Sequence, residues 1–304
     1  MNDFNKKTSL SIEQVLTVQQ VFSENVHLIV KRDDLIHSEI SGNKWRKLKY
    51  NIETVLHQKK RGILTFGGAF SNHLLATASA CNLLGLESIG IVRGEELNDS
   101  SNSNLIRCSE LGMKLIFVSR TEYSERNEKQ IQEEWKEAYP EFLLVPEGGS
   151  NFHGMVGCQE IMNELSITPD HIFVSFGTGT TAAGILTAIS SNTTLHIVSS
   201  LKGYDVKSAI KSLLYTFFLN NEIVEDLLEK VIVHSEFHFG GYGKSTPELL
   251  QFRDQMKSVL NLPLDKVYTA KSFYAMWEWL KVNDPLFEKK QTIVFIHTGG
   301  LING

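Results

Sequence analysis

Cysteine is scarce in this chain: Cys81, Cys108 and Cys158 are all there are. They are odd in number, far apart and without the paired spacing of metal sites, so neither a disulfide framework nor a structural metal is expected. Reduced, buried thiols in a cytosolic protein are the economical reading. No apolar run is long enough to span a bilayer. A secretory leader is not expected, because Met1-Asn2-Asp3-Phe4-Asn5-Lys6-Lys7 is not followed by an apolar core. Basic residues are in the minority, 30 Lys and Arg against 35 Asp and Glu, for a net charge of −5. A nucleic-acid binder would carry the opposite surplus. Internal repeats and low-complexity tracts are absent too. What is there, 304 residues of which 42% are hydrophobic and 21% charged, suits a soluble globular protein with an ample core.

Short runs rich in Val, Ile and Phe alternate with longer stretches of helical periodicity. Strands are expected at His27–Lys31, Gly62–Phe66, Ser88–Val92, Lys114–Val118, Phe142–Val145, His171–Ser175, Leu195–Ser199, Val231–His234 and Thr292–His297. Helices are expected around Lys44–Lys59, Asn72–Leu84, Asn104–Leu111, Tyr123–Ala138, Gly154–Leu165, Thr181–Ser190, Asp205–Leu214, Glu222–Glu229, Pro247–Val259 and Lys271–Val282. Such alternation implies an α/β fold with mainly parallel sheets. Four strand–helix units between about Asn51 and Asn151 could form one small inserted domain of residues 51–151. Residues 1–50 and 152–304 would then build the larger one. Ligands of such sheets bind beyond the carboxyl ends of the strands, often between domains.

The stretch Ile40–Tyr50, I-S-G-N-K-W-R-K-L-K-Y, stands out. Ser41-Gly42-Asn43 has loop and cap chemistry, yet the helix it opens carries Lys44, Arg46, Lys47 and Lys49 in its first turns. Cations there oppose the helix macrodipole. A bound phosphate would reverse that sign, and crowding lowers an amine's pKa, which makes it a better nucleophile towards a carbonyl. A solvated basic face is the alternative.

Other segments share a design in which a strand ends in small, hydroxyl-bearing residues and a helix follows. Gly62–Phe66 runs into Gly67-Gly68-Ala69-Phe70-Ser71-Asn72-His73, where Ser71 and Asn72 can cap a helix or donate to a carboxylate. His171–Ser175 runs into Phe176-Gly177-Thr178-Gly179-Thr180-Thr181, whose amides and hydroxyls would converge on a phosphate. This loop lacks both the Walker lysine and the dinucleotide spacing, so a single phosphate monoester suffices. Later come Gly241-Tyr242-Gly243, then Val267-Tyr268-Thr269-Ala270-Lys271-Ser272, then His297-Thr298-Gly299-Gly300. Together they offer a reactive lysine, a phosphate cradle, a glycine loop, two tyrosines and a late hydroxyl. Pyridoxal 5′-phosphate requires such a set.

With these motifs, in this order, the chain resembles the pyridoxal-phosphate enzymes of the 1-aminocyclopropane-1-carboxylate deaminase and D-cysteine desulfhydrase family. The resemblance runs from about His27 to Gly300. It implies the tryptophan-synthase-β fold (fold type II), with two open, twisted, mainly parallel sheets flanked by helices and the cofactor in the larger domain. Lys44 would bind the cofactor covalently and Lys47 its phosphate, with Thr178, Gly179, Thr180 and Thr181. Asn72 would bond the ring hydroxyl. Ser71, with the backbone amides of Asn72 and His73, would receive the substrate carboxylate. Tyr242 and Tyr268 match the active-site tyrosines, and Thr269 faces the pyridine nitrogen. The family implies a small amino-acid substrate and commonly a homodimer, while charge, apolar run lengths and cysteine spacing lead to no metal, membrane or nucleic-acid partner being expected.

Thr269 is the informative departure. Cyclopropane-opening members have glutamate there, and the desulfhydrase branch has threonine. An uncharged hydroxyl cannot force protonation, so a neutral ring nitrogen and α,β-elimination from a D-amino acid such as D-cysteine are expected. Cyclopropane deamination and a non-catalytic cofactor-binding role are the alternatives. Phe70 replaces the family's glutamine, and Leu74-Leu75 replaces a pair ending in arginine, so the carboxylate site is expected to differ in shape and charge.

Overall fold

The computed structural model describes residues 11–301, so the leader reading made on residues 1–7 lies outside the described residues. The strands are β1 (Ile12–Leu16), β2 (Val26–Arg32), β3 (Gly62–Gly68), β4 (Glu87–Arg93), β5 (Met113–Val118), β6 (Phe142–Val145), β7 (His171–Phe176), β8 (Thr194–Ser199), β9 (Val231–His234) and β10 (Gln291–Ile296). The helices are α1 (Asn43–His57), α2 (Asn72–Leu84), α3 (Ser103–Glu110), α4 (Arg120–Ser124), α5 (Lys129–Ala138), α6 (Phe152–Asn163), α7 (Thr180–Leu186), α8 (Val206–Phe218), α9 (Asn221–Glu229), α10 (Pro247–Leu260) and α11 (Thr269–Asn283). A six-stranded sheet has the order β1-β2-β10-β7-β8-β9 and a four-stranded sheet the order β5-β4-β3-β6. Among the described residues every pairing is parallel except that of β1 with β2. This is the expected α/β class.

The parallel strands are apolar on both faces because helices cover both. Ile172, Val174 and Phe176 of β7 pack with Ala183 and Ile185 of α7 and Ile210 of α8. Phe173, between them, points the other way, into Phe273 and Met276 of α11 and Phe295 of β10. A one-residue slip would exchange these two sets, which pins the register.

Two elements differ from expectation. The sequence reading has no strand at β1, a short edge strand whose Ile12 and Val15 stay 52% and 60% exposed. Its apolar residues therefore give no inward alternation. The single helix expected over Tyr123–Ala138 is two helices. Ser119 and Glu122 form a capping box that starts α4 early. Arg126 then follows α4 in the turn and bonds Glu147 at 2.7 Å, before α5 begins.

Helix α1 is seated by close helix contacts and by charge. A Cβ on Gly157 of α6 would lie 1.9 Å from the Arg46 carbonyl oxygen, and one on Gly184 of α7 2.5 Å from Cys158 Cβ. Only glycine lets α1, α6 and α7 approach this closely. Arg46 is fully buried and bonds Asp33 at 2.6 and 2.8 Å and Glu164 at 2.9 and 2.8 Å. The three cysteines are buried and unpaired.

Candidate active site

Loops from the carboxyl ends of β3, β6, β7 and β10 meet around the first turn of α1. Gly42 has φ +63°, and a Cβ there would sit 2.0 Å from the Thr298 carbonyl oxygen. The Ser41-Gly42-Asn43 turn can therefore lie directly on the loop after β10, where Asn43 N donates to Thr298 O at 3.3 Å. From this turn Lys44 and Lys47, three residues apart, share a helix face.

Lys44 is half-buried. Its amine donates to Asn43 Oδ1 at 2.8 Å, and Asn43 Nδ2 donates to Thr181 Oγ1 at 2.8 Å. Burial, then the charge on Lys47, lower the Lys44 pKa to about 7. Lys47 is 3% exposed, and its amine reaches Thr178 Oγ1 at 3.5 Å. Burial depresses its pKa as well. Among the described residues neither amine has a carboxylate within ion-pair distance.

Around Lys47 the hydroxyls form a connected set. Thr178 Oγ1 lies 3.0 Å from Thr180 Oγ1, and Thr180 donates to Ser150 Oγ at 2.9 Å. Gly179, at φ +84°, turns the chain into α7. A Cβ on Gly148 would meet Thr178 Cγ2 at 2.6 Å, and one on Gly149 would meet Lys47 Cβ at 3.0 Å. The cradle is thus walled by glycine backbone, hydroxyls and a buried cation that has no counter-ion. Such a cation is costly unless an anion joins it, and a phosphate monoester meets that need. Thr181 stands apart from this set: its hydroxyl accepts from Asn43 and contacts Cys158, so it braces the α1 turn.

On the side of the smaller sheet, Ser71 caps α2 and accepts from His73 N at 3.2 Å and Leu74 N at 3.3 Å. The His73 amide expected at a substrate carboxylate is therefore engaged in the cap. Asn72 opens α2 and is partly exposed. The His73 ring turns inward, with Nε2 at 2.9 Å from Thr65 Oγ1, while Thr65 donates to Val145 O at 2.7 Å. Nε2 must then carry the proton. Nδ1 is left buried and without a partner. Burial, then Lys44 and Lys47, keep this imidazole well below its usual range and neutral. Phe70 is 67% exposed, whereas Leu74 and Leu75 are buried with Ala78, Val92 and Leu105. Neither leucine brings charge to the site.

Tyr268 stands opposite, and a Cβ on Gly177 would lie 3.6 Å from its hydroxyl. Tyr242, 56% exposed, meets it edge-on, with ring centroids 5.9 Å apart. Burial, then the hydrogen-bonding Tyr242 phenol, hold Tyr268 well above the usual phenol range, so it stays protonated. The loop carrying Tyr242 is anchored by the buried Lys271, which donates to His238 O at 2.9 Å and Gly241 O at 2.8 Å. Thr269, fully buried, donates to Asp265 Oδ2 at 2.6 Å. Asp265 is near enough to act on the charge of Lys44.

Sequence reasoning missed Asn43, Ser150, Asp265 and Lys271. Asp265 had a signal, the spacing of a capping acid before the Tyr268-Thr269 helix start. Lys271 had none, because its acceptors are backbone carbonyls 30 or more residues away. Among the described residues no His, Cys, Asp and Glu cluster could hold a metal ion, and no helix is long and apolar enough to cross a membrane. An amine of pKa about 7 beside a hydroxyl-lined cradle whose lysine meets a hydroxyl and no carboxylate fits pyridoxal phosphate.

Known proteins agree. The family model for pyridoxal-phosphate dependent enzymes matches residues 14–299. The chain is 30% identical to a putative 1-aminocyclopropane-1-carboxylate deaminase of Pyrococcus abyssi, over 91% of this chain and 85% of that one. It is 31% identical to the mitochondrial bifunctional D-cysteine desulfhydrase/1-aminocyclopropane-1-carboxylate deaminase of Arabidopsis thaliana, over 90% and 72% of the respective chains. A solved structure of an ACC deaminase homologue matches with a TM-score of 0.76 at 26% identity, covering 98% of this chain and 91% of that one. A serine racemase from Dictyostelium discoideum, at TM-score 0.69, 14% identity and coverage of 99% and 95%, shares the fold. The amine, the cradle and these relatives together make the chain a pyridoxal-phosphate-dependent enzyme of the 1-aminocyclopropane-1-carboxylate deaminase and D-cysteine desulfhydrase family.

Proposed function

We propose that the chain is a lyase performing α,β-elimination on a small D-amino acid such as D-cysteine. One water is consumed overall, and pyruvate, ammonia and hydrogen sulfide are released. The observation that carries the choice is the residue at position 269. A threonine stands there, the residue that the resemblance associates with desulfhydrases, where cyclopropane-opening members have glutamate.

When bound, pyridoxal phosphate supplies an electron sink that acidifies the substrate Cα–H. In this reading Lys44 would hold the cofactor covalently, and its freed amine would take the substrate Cα proton. An amine with a pKa of about 7 is free to accept one near neutral pH. Lys47, Thr178 and Thr180 hold the phosphate at the Gly179 turn, and Thr181 keeps the Lys44 turn in place through Asn43. Asn72 bonds the ring hydroxyl. Ser71 Oγ accepts from two backbone amides, which leaves its proton to donate to the substrate carboxylate. The Cα–H electron pair becomes the second Cα–Cβ bond as the Cβ–S bond breaks. Tyr268 protonates the departing sulfur, and the exposed Tyr242 that bonds it restores the proton from solvent. We also propose residues 51–151 as an inserted small domain beside a cofactor-binding domain of residues 1–50 and 152–304. All four strands of the smaller sheet lie within residues 62–145.

Product analysis with D-cysteine, L-cysteine, D-serine and the cyclopropane acid tests the activity. Equal pyruvate and sulfide from D-cysteine are expected. 2-Oxobutanoate from the cyclopropane acid with no sulfide from D-cysteine would replace elimination by ring opening. A visible cofactor band without any keto acid would leave a binding protein.

A further inference from the structure

One buried carboxylate close to Lys44 has no part in the proposed elimination. Asp265 is 2% exposed, and among the described residues no basic side chain forms an ion pair with it. Four donors converge on it instead. Val267 N and Tyr268 N each reach Oδ1 at 2.8 Å. Thr269 N reaches Oδ2 at 2.8 Å and the Thr269 hydroxyl reaches it at 2.6 Å. The loop after β10 closes over it, since a Cβ on Gly300 would lie 3.1 Å from Asp265 Cγ.

This arrangement fixes the direction of the Thr269 hydroxyl. Its single proton lies on the bond to Oδ2, and Asp265 N donates to Oγ1 at 2.8 Å, which occupies one of the two lone pairs. One lone pair is left. Towards any other group, Thr269 is therefore an acceptor and not a donor.

We infer that Asp265 is a positioning residue that turns the Thr269 hydroxyl into an acceptor and so selects the protonated form of the cofactor's pyridine nitrogen. The inference rests on the reading that Thr269 faces that nitrogen. A bare nitrogen also offers a lone pair, and two lone pairs set face to face repel. A protonated nitrogen matches the acceptor, and the carboxylate one bond further away stabilises its positive charge in a low-dielectric interior. The expectation of a neutral nitrogen rests on the threonine hydroxyl being uncharged, but here that hydroxyl is backed by a carboxylate to which its proton is committed. A charged ring withdraws electrons more strongly, which eases transfer of the Cα proton to Lys44. With a charged ring, the choice of D-cysteine no longer draws on a weak electron sink and rests on the resemblance alone, threonine standing at position 269 where cyclopropane-opening members have glutamate.

NMR of holoenzyme loaded with pyridoxal phosphate labelled at its ring nitrogen reports that protonation without any turnover. The wild type is expected to give the strongly shielded resonance of a protonated pyridine nitrogen. Asp265→Asn should give the deshielded resonance of a bare one, because the amide can donate to Thr269 and free its proton for the ring. Thr269→Ser keeps both groups and should keep the shielded resonance. A bare nitrogen in the wild type, or a shielded resonance that persists in Asp265→Asn, overturns the inference. Asp265 also caps α11, so Thr269→Val serves if Asp265→Asn fails to fold: loss of the shielded resonance supports the inference and its retention overturns it. A wild type that takes up no cofactor defeats the functional reading as well, an outcome distinct from bound cofactor with a bare nitrogen.

Discussion

Helix α1 carries Lys44, Arg46, Lys47 and Lys49 near its start, and the fold treats them as two opposite pairs. Arg46 and Lys49 share one side and are matched by acids, Arg46 by Asp33 and Glu164 and Lys49 by Glu160 at 2.6 Å. Lys44 and Lys47 share the other side, and among the described residues it offers them only an amide oxygen and a hydroxyl. All four are cations near the helix start, where the macrodipole disfavours them, Lys44 the most and Lys49 the least. The first pair is bound by the protein itself, whereas the second has no acid folded against it and is the pair proposed to hold the cofactor. A run of cations thus says that charge is present, and only the partners folded against it say which charge remains to act.

Lys44→Ala breaks this contrast hardest. It removes the amine assigned to hold the cofactor and to move the proton, so the visible cofactor band should vanish and keto-acid production should fall by about 10²–10⁴-fold. An unchanged band would move the attachment elsewhere. Arg46→Met attacks the other side. It leaves the buried Asp33 carboxylate without its partner, so denaturant titration should find a loss of about 3–5 kcal/mol. A loss below about 1 kcal/mol would mean that water reaches Asp33.

The contrast also explains how far the sequence could be read. Both sheets follow from runs such as Phe142–Val145 and His171–Ser175, because strands buried on both faces must be apolar throughout. β1 has one buried residue, Leu16, and so carries no such mark. Lys44, Thr178 and Ser71 could be picked out as candidates because glycines and hydroxyls cluster at strand ends for few reasons other than ligand binding. The division of labour among the threonines was not legible. Thr178 and Thr181 look alike in the chain, but one faces Lys47 and the other Asn43, a difference set by contacts 131 and 138 residues away. The same holds for Thr269, whose hydroxyl direction depends on Asp265 four residues earlier and on a turn that no periodicity announces.

Lys47→Met sharpens the comparison by acting on both functions of the ligand-facing pair. Loss of a charged hydrogen bond should weaken cofactor binding by about 1.5–3 kcal/mol, read as the dissociation constant in a titration of apo-protein. It should also change the pH profile of capture. The neutral amine is the form that attacks an aldehyde, and Lys44 is depressed from 10.5 to about 7 by burial and by Lys47. In the wild type the capture rate should therefore rise through about pH 7 and then level off. Without the Lys47 charge the amine holds its proton more tightly, so the midpoint must move to higher pH. A midpoint that stayed in place would show the two amines to be electrically independent.

Lys49→Gln is the smallest change and the cleanest control. It removes the same unit of charge from the same helix, two residues further on, but from the side that faces Glu160. That pair is partly open to solvent, with side chains 17% and 19% exposed, so its loss should cost about 1 kcal/mol or less in a denaturant titration. Cofactor affinity and the capture midpoint should stay at their wild-type values, because a charge already matched by a carboxylate adds little to the field at Lys44. If Lys49→Gln instead shifted the midpoint as far as Lys47→Met does, net charge on α1 would control the amine, and the division of the helix into bound and free cations would have no chemical meaning.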